Sequence, residues 1–165
     1  MATGELVSIR EYLSTSYEPE CDYVDGVLVE RNAGEYDHSR MLGAVLSYLH
    51  ARRLQWSISV FPILRVLVSP TRIRVPDVCA FTSEPTEQVP STPPFICIEI
   101  LSPEDRLSAM HQRVQDYLNF GVPYVWILDP ATRKAYRSTP NALTEISELQ
   151  TDNPEITVPL TALFE

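Results

Sequence analysis

Three spacings of apolar residues recur along the chain, and each predicts a kind of element. "DYVDGVLVER" sets two alternating runs around Asp25-Gly26, a dipeptide suited to the positive φ angles of a two-residue hairpin. Leu42, Val45, Leu46 and Leu49 recur with a helical period, in a helix that Asp37 would cap and that would run to about Leu54. Ahead of the hairpin, "SIREYLST" predicts a short helix opened by Ser8. "SISVFPILRVLVS" alternates and is β-branched, which predicts a bent strand or a strand pair around Pro62. "VPDVCAF" predicts a strand starting near Pro76, and "TSEPTEQVPSTPP" a loop. Two runs, "FICIEIL" and "YVWILD", are apolar enough to be buried on both faces. Between them lies a helix with Ser102 as N-cap, Pro103 at its first position and Gly121 at its end. Leu107, Met110, Val114, Tyr117 and Leu118 form its apolar stripe. "RKAYRST" would pair with "YVWILD", and "PEITVPLTALFE" would dock as a last apolar segment.

This order predicts an α/β fold with a mixed, curved central sheet flanked by helices. A helix joining two continuously apolar strands predicts a parallel crossover over residues 95–128. The 165 residues suit a single domain spanning 1–165, with no internal repeat and no linker long enough to divide it. No apolar run approaches the ~20 residues that cross a bilayer, and the first residues carry no basic leader. Cys21, Cys79 and Cys97 are odd in number and lack CxxC spacing, so reduced thiols in a cytoplasmic protein are expected, two of them in the core.

Charge changes the picture in one region. A net −9 argues against a strongly basic nucleic-acid binder. Yet residues 38–76 contain no Asp or Glu, and carry Arg40, Arg52, Arg53, Arg65, Arg72 and Arg74. A polyanion such as DNA could meet that side of the molecule, or the arginines could pair with acids elsewhere in the fold.

Candidate chemistry centres on two acids in apolar strands, Asp77 in "RVPDVCAF" and Glu99 in "ICIEILS". A buried carboxylate without a partner costs several kcal/mol or stays protonated. Two of them on neighbouring strands repel unless a cation lies between, and oxygen donors without a histidine cluster suit Mg²⁺ or Mn²⁺. Such an ion polarises a phosphoryl oxygen and activates water. For Glu99 the rival explanation is an ion pair with Arg113 or Arg106; for Asp77 it is a turn or capping role after Pro76.

"PD", 21 further residues and then a strand Glu resemble the PD-(D/E)XK nuclease superfamily. More closely, the chain resembles the Uma-two family of restriction endonucleases, through "DYVDGVLVE", "DHSRMLGAVLSYL", "RVPDVCAF", "CIEILSPEDR", "YLNFGVPYVWILDP" and "VPLTALF" in that order. The resemblance spans about residues 8–164. It implies a restriction-endonuclease-like fold and Mg²⁺- or Mn²⁺-dependent endonuclease cleavage of DNA phosphodiesters in a bacterial-type protein. Asp77 and Glu99 would be the metal ligands, with the Ile100 carbonyl as a further oxygen. His38 would line the site, and Glu30 would be an additional acid. The superfamily's lysine, two residues after the Glu, is replaced here by Leu101. Uma-two proteins place a lysine on the following helix instead, and the aligned residue is Arg113. Arginine stays charged and cannot act as a base, though it can stabilise charge on phosphate. A homodimer is expected by the same resemblance.

Duller roles compete throughout. His38 also suits a helix-start surface residue, Asp25 is a turn residue, and Cys79, Cys97 and Tyr117 suit core packing. His111 has no assigned role. A serine-hydrolase elbow and a Gly-rich phosphate loop are both absent from the sequence. The alternative to an active nuclease is a catalytically decayed fold that binds nucleic acid or protein.

Overall fold

A computed structural model describes residues 4–32 and 34–164. Helix α1 (Ile9–Leu13) is opened by Ser8, whose hydroxyl accepts from the Glu11 amide. The Asp25-Gly26 hairpin forms as its sequence requires, joining β1 (Cys21–Val24) to β2 (Val27–Glu30). Both turn residues lie at positive φ, 52° and 91°. A Cβ on Gly26 would also stand 3.2 Å from the Leu6 side chain, so the position needs glycine for two reasons. This hairpin joins two later strands, β4 (Val66–Ser69) and β5 (Arg72–Arg74), in an antiparallel sheet of order β2-β1-β5-β4.

The larger sheet has six strands: β3 (Ser59–Pro62), β6 (Val78–Phe81), β7 (Ile96–Ile100), β8 (Tyr124–Asp129), β9 (Lys134–Ser138) and β10 (Leu143–Ile146). Its order is β10-β9-β8-β7-β6-β3. Only β7 and β8 run parallel, and helix α4 (Leu107–Phe120) is their crossover. Alternation along β6 and β7 sorts two cores. Val78, Ala80, Ile96, Ile98 and Ile100 pack toward α2 (Tyr36–Ala51), with its Met41, Val45 and Leu49. Cys79, Phe81 and Cys97 pack toward α4, with its Met110, Val114 and Tyr117, and toward Val66 and Val68 of the smaller sheet. A last hairpin of β11 (Glu148–Thr151) and β12 (Ile156–Pro159) docks Leu149, Ile156 and Val158 on the α2 side.

Several boundaries differ from the sequence reading. Asp37 does not cap α2; Glu35 holds the N-cap position and Asp37 lies in the first turn. The helix stops at Ala51, and a one-turn α3 (Arg53–Trp56) follows, closed by Ser57 at φ 52°. Helix α4 starts at Leu107, not at Ser102. The Asp105 carboxylate accepts from the Ser102 amide at 2.7 Å, and the Asp105 amide donates to the Ser102 carbonyl at 3.0 Å. The segment around Pro62 is a strand pair whose members enter different sheets.

Candidate active site

Register brings the two acids together. Val78 stands opposite Ile98 in the antiparallel β6–β7 pair, so Asp77, one residue before β6, falls beside Glu99. Both share a face with Cys79 and Cys97, the face toward α4. The convergence expected from the sequence is therefore present.

What lies between the acids is an arginine. Arg31 Nη2 donates to Asp77 Oδ1 at 2.9 Å and to Glu99 Oε2 at 3.1 Å. Asp77 Oδ2 accepts from the Ile100 amide at 2.7 Å, and His38 Nε2 lies 3.4 Å from Asp77 Oδ1. Glu99 Oε2 also accepts from Arg113 Nη1 at 3.2 Å, while Oε1 accepts from the Tyr117 hydroxyl. Arg113 and Tyr117 reach the same carboxylate because they are one helical turn apart on α4.

A second tier supports the first. Asp22, fully buried on β1, accepts from Arg74 Nη1 at 3.0 Å, Arg113 Nε at 3.2 Å and the Val75 amide at 3.0 Å. Arg74 Nε donates to Asp116 at 2.7 Å, and Asp116 accepts from Arg72 at 2.8 Å. Four carboxylates (Asp22, Asp77, Glu99, Asp116) thus alternate with four guanidinia (Arg31, Arg72, Arg74, Arg113). This matching makes the burial of so many charges tolerable.

The environments push the two site acids apart. Burial alone would raise the Asp77 carboxyl, but His38, Arg31 and the Ile100 amide outweigh it and hold it at about 2. Complete burial raises Glu99 above the usual carboxylate range, against the pull of Arg31 and Arg113. Both Glu99 oxygens nonetheless act as acceptors, the pattern of an ionised group. The Asp77 carboxylate raises His38, against the opposing effect of burial.

Other expected site residues fall elsewhere. Glu30 is exposed at the end of β2 and, among the described residues, makes no hydrogen bond or ion pair with the cluster. The neighbouring Arg31 reaches in instead, since successive side chains on an extended chain point to opposite sides. Arg106 and His111 are exposed. The arginine-rich stretch divides in two. Arg65 pairs with Glu20 at 2.9 Å, Arg74 is buried in the network, and the partly exposed Arg72 pairs with Asp116 and Asp25, so all three already have acidic partners. Arg40, Arg52 and Arg53 have no acidic partner among the described residues.

A pocket of about 20 Å³, room for one water, lies over Arg31, His38, Asp77 and Ile100. Arg31, His38 and Asp77 also line a cleft of about 450 Å³, and His38 borders another of about 330 Å³. Among the described residues, no three His, Cys, Asp or Glu side chains gather into a metal cage. The donor chemistry of the pair still suits a hard divalent ion: two carboxylate oxygens from adjacent strands meet at one positively charged nitrogen. An ion at that point would need the guanidinium to vacate it.

The fold is of the restriction-endonuclease-like class. The chain belongs to the family described as "Uma2: Putative restriction endonuclease", whose model matches residues 9–164. Among solved structures it is similar to "a putative nuclease belonging to DUF820" from Anabaena variabilis ATCC 29413. That likeness has a TM-score of 0.80 at 19% identity, over 96% of this chain and 97% of the other. No curated protein matches the chain. Among the described residues, no helix is long and apolar enough to cross a membrane.

Proposed function

We propose that the chain is a divalent-cation-dependent endonuclease acting on DNA phosphodiesters, with Asp77 and Glu99 as ion ligands and the Ile100 carbonyl beside them. One observation carries this reading: two carboxylates from adjacent strands converge on a single cationic point bordering open clefts. The ion, when bound, would polarise a phosphoryl oxygen and make water a nucleophile near neutral pH.

The chain's own residues divide the remaining work. Asp77, held at about 2, stays ionised across the physiological range. The Ile100 amide fixes its orientation. Arg113 has no free electron pair, so it orients Glu99 and offsets negative charge instead of taking a proton from water. His38, raised toward its charged form beside Asp77, can pair with a phosphate oxygen arriving from either cleft. Arg40, Arg52 and Arg53 can meet the backbone of a longer polynucleotide.

The test is conversion of supercoiled plasmid and single-stranded DNA with Mg²⁺ or Mn²⁺, with Asp77→Asn and Glu99→Gln prepared in parallel. Nicking that both variants abolish, and that chelation stops, is the expected result. Equal nicking by wild type and variants would trace the activity to a contaminant and remove the reading. A second reading, a decayed nuclease fold that binds nucleic acid, draws on Arg31 between the acids and Arg113 in the lysine's place. It predicts salt-sensitive DNA binding without cleavage under any divalent ion.

A further inference from the structure

The structure assigns Arg31 the part of a built-in competitor for the divalent cation: its guanidinium holds the point between Asp77 and Glu99, and an ion binds only as that side chain withdraws. This rests on the reading of the pair as a cation site.

Three observations support exchange over a permanent structural bridge. First, a single nitrogen, Nη2, makes both contacts, so one side-chain movement frees both acids together. Second, the seat is incomplete. Among the described residues Arg31 Nη1 is buried without a hydrogen-bond acceptor, Asp22 Oδ1 standing 3.6 Å away. A buried donor left without an acceptor weakens the hold on the group that carries it. Third, there is an exit. Arg31 lies just past the end of β2, outside regular structure, and lines both the small pocket over the acids and the 450 Å³ cleft. Its withdrawal breaks no strand pairing. Arg113 and Arg74 stay behind on Glu99 and Asp22, so those acids keep counter-charges.

A site open only a fraction of the time binds its ligand more weakly by that fraction. Occupancy of the seat by Arg31 for more than about nine-tenths of the time lowers cation affinity at least about tenfold. The experiment is calorimetric titration of Mn²⁺ into wild type, Arg31→Gln and Arg31→Gln/Asp77→Asn, with melting temperature followed at each Mn²⁺ concentration. The expected result is binding at least about tenfold tighter in Arg31→Gln than in wild type. Mn²⁺ should raise the melting temperature of Arg31→Gln more than that of wild type, and the double variant should lose both effects. Should Arg31→Gln not fold, Arg31→Met keeps an unbranched stem but carries no charge to hold the point between the acids, and its affinity should exceed that of wild type. Equal affinity in wild type and the Arg31 variant, abolished by Asp77→Asn, would overturn the competitor role and leave the cation site standing. No Mn²⁺ binding in any of these chains would overturn both.

Discussion

Asp22→Asn removes the one buried anion shared by Arg74 and Arg113 while nearly preserving shape. Asp22 is fully buried, and its Oδ2 accepts from both guanidinia, at 3.0 and 3.2 Å. An asparagine carbonyl can still accept from the Val75 amide, but it leaves the two arginines in excess over their anions. Two hydrogen bonds to a charged group are worth about 1.5–3 kcal/mol each. Breaking a buried pair by removing one partner costs about 3–5 kcal/mol. We expect a loss of about 3–5 kcal/mol, a large part of the 5–15 kcal/mol typical of a whole domain. For a chain of this size that corresponds to a fall in Tm of roughly 6–20 °C. Urea unfolding followed by the fluorescence of the buried Trp56 and Trp126 measures it as a lower midpoint at unchanged slope. A loss under about 1 kcal/mol would refute the claim that charge matching holds this network together.

Asp77, held at about 2, contributes stability that is present above its unfolded value of about 3.9 and lost as the pH falls toward 2. The shift amounts to about 2–3 kcal/mol, so urea midpoints between pH 2 and 5 should climb less steeply in Asp77→Asn than in wild type. Gly26→Ala should cost about 1–2 kcal/mol, because φ is 91° and Leu6 stands close; a neutral result would mean the turn relaxes freely. Burial pushes the Cys97 thiol well above its ordinary range and Cys79 up to about 12. Neither should react with iodoacetamide at pH 8 until the protein unfolds; rapid labelling of the native chain would contradict their core role.

The parts of this account legible in the sequence were those with local causes. The hairpin followed from Asp25-Gly26, and the parallel crossover from a helix set between two continuously apolar strands. The acid pair could be read because each acid interrupts a run that buries everything else, and strand order placed the runs side by side. The partners of the acids could not be read. Arg31 acts across 46 and 68 residues of sequence, and nothing in "VERNAG" separates it from a surface arginine. Glu30, expected as an additional acid, stands one position from the residue that reaches the pair, which on an extended chain is a change of side. Asp22 in "CDYV" has the pattern of an outward polar residue; it is buried because β1 is interior to its own sheet and meets Arg74 of β5 and Arg113 of α4. The Ser102–Asp105 turn has the bonds of a helix start, yet α4 begins only at Leu107, a separation that residue preferences do not decide. Half of the arginine-rich stretch turned inward for the same long-range reason: its acids lie outside it.

The most direct measurement is anomalous diffraction from crystals soaked in Mn²⁺. The account predicts a single peak bounded by Asp77 and Glu99, with the Arg31 guanidinium moved off both carboxylates. Crystals whose Arg31 still bridges the two acids at saturating Mn²⁺, with no anomalous signal beside them, would contradict it.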